Sequence, residues 1–325
     1  TCGAIGSALV NMYSKCGCLA KAQDVFDKLT KRDVISWTAL IAGYAECQHY
    51  DKVIICFIEM LFEGVSPDII TLACSLRACG SLGSVERGIY IHEIIERKGV
   101  LQTNPSMGNS LVYMYAKCGS LDDAYTKFVQ MPNHSVVSWG AMINAYAQHG
   151  QGFSALKLLK QMILEYLEEP NKVIYLGSLK ACSCIKDVHA GNLLFDKIIR
   201  KSLESDISIA NSIIDMYAKC GFLREAEEVF NHLMVRNSVA WNALVSGYVE
   251  YGYSEKVFQS LNQMKGEGIF PDAITLVCSL KACCYNGSII KGQEIYAEIT
   301  HNRSLERDIF IGNTLVDMFA KYGFF

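Results

Sequence analysis

The chain has 325 residues, 51% of them hydrophobic, with only five prolines and no polar tract, which excludes a disordered or linker-rich protein. No apolar run approaches the roughly 18 residues a membrane span needs, and a net charge of −3 gives no global basic signal for nucleic acid. The chain opens on "TCGAIGSALV" and stops at "KYGFF", so it reads as an internal fragment, and targeting segments or terminal domains cannot be judged from it.

The first predicted helix closes on Tyr13-Ser-Lys-Cys-Gly17, and the phrase returns at Tyr115–Gly119, Tyr217–Gly221 and, as "FAKYG", at Phe319–Gly323: each step is 102 residues. A short second helix follows each copy. After Gly119, Ser120 is placed to cap it, and Leu121, Ala124 and Phe128 form its buried stripe. Next come the tryptophan phrases around Trp37, Trp139 and Trp241, on the same step. A third phrase closes the block: "TLACSLRACG", "YLGSLKACSC" and "TLVCSLKACC". Each block therefore holds three related repeats. With the residue after the Trp as anchor, equivalent positions are 7, 38, 73, 109, 140, 176, 211, 242, 277 and 313. Steps of 31, 35 and 36 residues between them mean stacked two-helix units rather than separate globules, and no alternating strand pattern competes. The fold class is all-α, a helical-repeat solenoid.

The Lys-Cys-Gly element is then a helix end: Lys faces the negative dipole terminus, Cys packs, and Gly takes the left-handed turn. Cys16, Cys118 and Cys220 share one repeat position, and Cys79, Cys182 and Cys283 another, so packed thiols are expected rather than disulfides or metal ligands, which implies a reducing compartment. No C-x-x-C pair occurs, and Tyr322 replaces Cys in the fourth copy. No metal or cofactor is expected.

The phrases "SWTALIAGYAECQHYDKVIICFIEMLFEGVSPD" and "GNSLVYMYAKCGSLDDAYTKFVQMP" resemble pentatricopeptide repeats of the land-plant kind that alternates P, L and S classes. The resemblance covers the whole chain as one continuous array: S 3–33, P 34–68, L 69–104, S 105–135, P 136–171, L 172–206, S 207–237, P 238–272, L 273–308 and a partial S 309–325. It implies sequence-specific binding of single-stranded organellar RNA, in mitochondrion or chloroplast, often to direct C-to-U editing with protein co-factors; it implies no membrane and no small-molecule substrate.

A reader of one base per helical repeat needs two or three polar side chains beside a groove. The anchors supply the first: Ser7, Thr38, Asn109, Asn211, Asn242 and Asn313. Asn and Thr are mediocre in helix interiors, so their clustering at one phase suggests a task; solvated surface polarity is the bland alternative. They are expected to face the groove and pack against nothing. The last residue of each repeat supplies the second: Asp33, Asp68, Ser135, Asn171, Asn237 and Asp272. Gly140 gives Asn171 no partner, and one extra residue near "ILEYLEEPN" blurs that alignment. Ala73, Leu176 and Val277 cannot hydrogen-bond a base. Three residues before several anchors lies Ile35, Ile70, Val137, Val173, Val239 or Ile274; by the resemblance this residue sandwiches a base, while burial between helices explains it equally well.

Lys15, Lys117, Lys219 and Lys321 share one position and Arg77, Lys180 and Lys281 another, eight and four residues past their anchors. Both fall broadly on the anchor's face, so a basic ladder for phosphate is open, with helix-end compensation as the alternative for the first set. A protein-binding scaffold of the tetratricopeptide type is the rival reading, but its 34-residue period and W-x2-L-G-x2-Y phrase do not match. No enzyme is expected within these residues: the zinc-deaminase pair H-x-E and P-C-x-x-C is missing, although such a domain could follow Phe325.

Overall fold

The computed structural model describes residues 2–104, 106–166, 169–301, 305 and 307–322, and every regular element among them is an α-helix. Two compact bodies result, Thr1–His149 with Lys157–Glu169, and Gly150–Leu156 with Pro170–Phe325. The first holds α1 (Cys2–Lys15), α2 (Leu19–Asp27), α3 (Val34–Glu46), α4 (Tyr50–Phe62), α5 (Ile69–Leu82) and α6 (Val85–Arg97). It continues with α7 (Val100–Thr103), α8 (Ser106–Lys117), α9 (Leu121–Gln130) and α10 (Val136–Gln148). The division falls within α11 (Gly152–Glu165). The second body holds α12 (Lys172–Ile185), α13 (Val188–Arg200), α14 (Ile207–Cys220), α15 (Leu223–Asn231) and α16 (Ser238–Glu250). It ends with α17 (Ser254–Gly266), α18 (Ala273–Asn286), α19 (Ile289–Thr300) and α20 (Ile309–Lys321).

Each complete repeat is a helix pair, with the one-turn α7 added at the end of repeat 69–104. Within each body the first helix of one repeat packs on the first helix of the next, α1 on α3 on α5 on α8 and α12 on α14 on α16 on α18, while the second helices lie behind. The three tryptophans explain one seam. Each is buried, and each meets edge-on a Phe near the end of the preceding repeat's second helix: Phe26–Trp37 and Phe230–Trp241 at 4.5 Å, Phe128–Trp139 at 4.8 Å. Such aromatic pairs add to area burial by about 1 kcal/mol. At the seam between the 172–206 and 207–237 repeats Gly191 lets α13 approach α14, because a Cβ there would lie 2.5 Å from the Met216 sulfur.

The Lys-Cys-Gly turns form as expected, with Gly17, Gly119 and Gly221 at φ of 70°, 83° and 85°; Gly323 lies outside the described residues. Leu121, Ala124 and Phe128 are buried, but Ser120 makes no side-chain capping bond. Its ψ of 71° is not the extended cap conformation, and Asp122 and Asp123 supply negative charge to that first turn instead.

Cys79, Cys182 and Cys283 are fully buried, and burial pushes the thiols of Cys79 and Cys182 up to about 12. They stay protonated and inert. Cys118 donates through Sγ to the Cys79 carbonyl at 3.6 Å, and in the fourth copy Tyr322 donates its hydroxyl to the Cys283 carbonyl at 2.6 Å. The Cys-to-Tyr exchange thus keeps one contact. Cys16 departs from expectation: it is exposed, because no helix before α1 is present among the described residues to cover it.

Candidate nucleic-acid interface

The six residues expected as second readers are each the N-cap of the following helix. Asp33, Asp68, Ser135, Asn171, Asn237 and Asp272 all have extended backbone, and the side-chain oxygen of each accepts a main-chain N–H three residues on. Short polar residues are required there to satisfy an orphan donor of the helix's first turn. Asp33 and Ser135 form full capping boxes with Ser36 and Ser138. The bond from the Ser36 main chain is the largest influence on the Asp33 carboxyl and holds it below the ordinary aspartate value.

The cap places its side chain against the anchor of the repeat before it. Ser7 donates to Asp33 at 3.2 Å and Thr38 to Asp68 at 3.0 Å. Asn211 donates to Asn237 at 3.3 Å and Asn242 to Asp272 at 2.7 Å. The Asn109 pair runs the other way, with Ser135 donating to its amide oxygen at 3.4 Å. The five expected pairs are therefore in direct contact. Asn171 caps α12 through the Ile174 N–H at 3.0 Å, and its expected partner, Gly140, has no side chain to offer. Asn313 is exposed on α20, with no following cap among the described residues.

The anchors are not free of packing. Ser7, Thr38, Asn211 and Asn242 are buried, Asn242 retaining only 8% of its accessible surface. The expectation that this position packs against nothing is corrected, because each of these four sits in the seam between two first helices, under the next cap. Sequence reading also missed Thr71 and Thr275. Thr71 Oγ1 lies 2.9 Å from Thr38 Oγ1, and Thr275 donates to the Asn242 amide oxygen at 2.5 Å. The available signal was the recurrence of "PDIIT" and "PDAIT", a cap with a hydroxyl three residues later.

The apolar residues three before the anchors are on the surface. Ile35 is 67% exposed and Val173, the least exposed of the six, 54%; Ile70, Val137, Val239 and Ile274 lie between. Burial between helices does not account for them. Among the cations, Lys15, Lys117 and Lys321 end α1, α8 and α20 and are exposed, while Lys219 is paired to Asp215 at 2.7 Å one turn before it. Lys117 and Lys321 also lie over the rings of Tyr113 and Tyr285, at 5.9 and 5.7 Å. Arg77, Lys180 and Lys281 are exposed in mid-helix and carry no ion pair among the described residues. No group of three or more metal-ligating side chains occurs among the described residues.

Comparison with known proteins gives a consistent result. Profiles described as "PPR repeat" match residues 7–34, 109–136, 137–166 and 208–238, and one described as "PPR repeat family" matches 32–81 and 236–285. Two chloroplastic pentatricopeptide repeat-containing proteins of Arabidopsis thaliana are 31% identical over 319 residues and 33% identical over 320. Each alignment takes in 98% of this chain and 39% or 51% of the relative. A mitochondrial one is 30% identical over 321 residues, covering 98% of this chain and 41% of the relative. The chain thus spans about half the length of these relatives or less. Among solved structures, the pentatricopeptide repeat protein PPR10 in complex with an 18-nt psaJ RNA element superposes with a TM-score of 0.65 at 17% identity, over 97% of this chain and 52% of that one. PPR10 from maize gives a TM-score of 0.56 at 16% identity, over 99% and 57%.

Proposed function

Because this chain belongs to the pentatricopeptide repeat family, we propose that it binds single-stranded RNA sequence-specifically, one base per repeat. The observation that carries this is the contact of each polar anchor with the cap of the next repeat, repeated at five seams. A scaffold for proteins has no need of it. The ten repeats act as one tract along RNA running 5′ to 3′ from the N-terminal end. Their 31-, 35- and 36-residue alternation supports assignment to the plant PLS subfamily. The relatives named chloroplastic or mitochondrial support an organellar site of action, and guidance of RNA processing such as C-to-U editing, with protein co-factors, is the role we assign.

Proton counting rationalises the code. Thr38 gives its single hydroxyl proton to Asp68, so it shows the base only an acceptor, which suits the N1–H of guanine. Asn242 gives one of its two amide protons to Asp272 and keeps a donor beside an acceptor, which suits uracil. Ser7 with Asp33 then reads G, Asn109 with Ser135 reads C, and Asn211 with Asn237 reads either pyrimidine. Repeats anchored on Ala73, Gly140, Leu176 and Val277 leave their bases open. The preferred site is GGNCNNYUN, followed by a pyrimidine at Asn313. Exposed Ile35, Val137 and their counterparts flank the bases, and Lys15, Lys117, Lys219 and Lys321 approach phosphates.

The deciding experiment is Asn242→Thr, which rebuilds at the eighth base the Thr38, Asp68 and Thr71 arrangement already tolerated elsewhere in the chain. Competition between RNAs differing only there should show preference moving from U toward G. An unmoved preference removes these residues as readers.

A further inference from the structure

We infer that Thr275, with Thr71 at the equivalent place, is a positioning residue that fixes which hydrogen-bonding order the reader presents to its base, an inference that rests on the base-reading function proposed above. Both are the third residue of their helices, α18 and α5, and both are fully buried. Their main-chain N–H groups serve the caps, Thr275 to Asp272 at 3.0 Å and Thr71 to Asp68 at 2.8 Å. Their hydroxyls do something different from those at matching seams. Ser36 and Ser138 return theirs to the cap's own carbonyl at 2.9 Å, whereas Thr71 and Thr275 reach across the seam to the anchor of the preceding repeat. Packing does not demand a hydroxyl here, since Ala240 and Ile174 fill the same position in other repeats, both fully buried.

At Asn242 the consequence follows from donors and acceptors alone. An ionised Asp272 only accepts, so Nδ2 of Asn242 must face it and Oδ1 must face Thr275. Thr275 has one proton. Asp272 Oδ1 is also within 3.2 Å of its hydroxyl, but it already accepts the Thr275 main-chain N–H, and the amide oxygen is nearer at 2.5 Å, so the proton lies there. The amide is held at both ends and cannot turn over. One N–H and one lone pair remain for the base, in a fixed order.

Uracil offers N3–H beside O4, while cytosine offers N3 beside its N4 amino group, the same two functions reversed. An amide free to flip meets both, and one pinned at both ends meets one. The chain contains the unpinned comparison. Among the described residues Asn211 bonds to the Asn237 amide oxygen, Ala240 supplies no hydroxyl, and Asn211 Oδ1 is buried with no protein partner. That repeat should accept both pyrimidines, and the Asn242 repeat should separate them.

The test is Thr275→Val, which keeps the shape and removes the proton, measured as the ratio of U to C affinity at the eighth base in one competition mixture. Both RNAs compete for the same folded molecules, so partial unfolding does not move the ratio. A well-made hydrogen-bonded pair discriminates by about tenfold or more. In Thr275→Val the ratio should fall at least about threefold, toward that of the Asn211 repeat, and Thr275→Ser should restore it. A wild-type preference for U that survives unchanged in Thr275→Val overturns this inference and leaves the reading function standing. Equal binding of all four bases by the wild-type protein overturns the reading function and this inference with it.

Discussion

Asp272 has two duties that substitution can separate. Its Oδ1 caps α18 by accepting the Thr275 N–H at 3.0 Å, and its Oδ2 holds the Asn242 amide at 2.7 Å. Asp272→Ala removes both. Loss of an N-cap side chain costs about 1 kcal/mol, and leaving one N–H of the nearly buried Asn242 without a partner costs about 1 kcal/mol more. In a stack where each repeat leans only on its neighbours, the roughly 2 kcal/mol should appear locally rather than as global unfolding. It corresponds to about 30-fold faster opening of the first turn of α18. Asp272→Asn is the informative partner. Asn caps as well as Asp to within a few tenths of a kcal/mol, and the variant removes the acceptor-only partner that fixes one end of the Asn242 amide, while Thr275 stays in place. It should exchange amide hydrogens at nearly the wild-type rate while relaxing preference at the eighth base from U to either pyrimidine. Hydrogen exchange over residues 268–280, with base competition on the same samples, reads both effects. The reasoning is refuted if Asp272→Asn opens the helix as much as Asp272→Ala does, or if it leaves the preference for U intact.

Two further outcomes are expected. Changing Lys15, Lys117 and Lys219 together to Gln should weaken every RNA alike and lower the slope of log affinity against log salt by about 2, at roughly 0.7 per phosphate on a single strand; an unchanged slope with reduced stability would assign them to the helix ends. The Asp33 carboxyl is held below the ordinary value of 3.8, so the unfolded chain binds its proton more readily. Its stabilising effect should be complete above that value and vanish as pH falls through the lowered one, and Asp33→Asn should flatten this acid limb in far-UV circular dichroism.

Periodicity made the stack legible because a repeat prints the same packing problem several times. Trp37, Trp139 and Trp241 announced the seam they fill, and Lys-Cys-Gly announced its turn. Phase also singled out both members of the five pairs that turn out to touch. What it could not give was their contact, since Ser7 and Asp33 are 26 residues apart and meet only when two first helices lie side by side. The role of Thr275 was hidden for a related reason: in sequence, D-x-x-T and D-x-x-S look alike, and only geometry shows one hydroxyl crossing the seam while the other returns to its own cap. Ser120 misled because a good capping residue follows a left-handed Gly, and the turn sets its backbone.

The coincidence of cap and second reader has a bearing on how such tracts can be recombined. On the proposed reading, the letter of one repeat is spelled partly by the residue that begins the following helix, so an exchange of segments is neutral to meaning only at certain cuts. A segment taken from Val34 to Pro67 would bring Thr38 without Asp68 and would acquire whatever letter the recipient's next helix dictates. Moving the cut one residue later, beyond Asp68, transfers the letter intact and delivers the recipient's next helix with a matched cap. Grafting in this register, and not at the apparent ends of helices, is how new target sequences should be assembled from these parts.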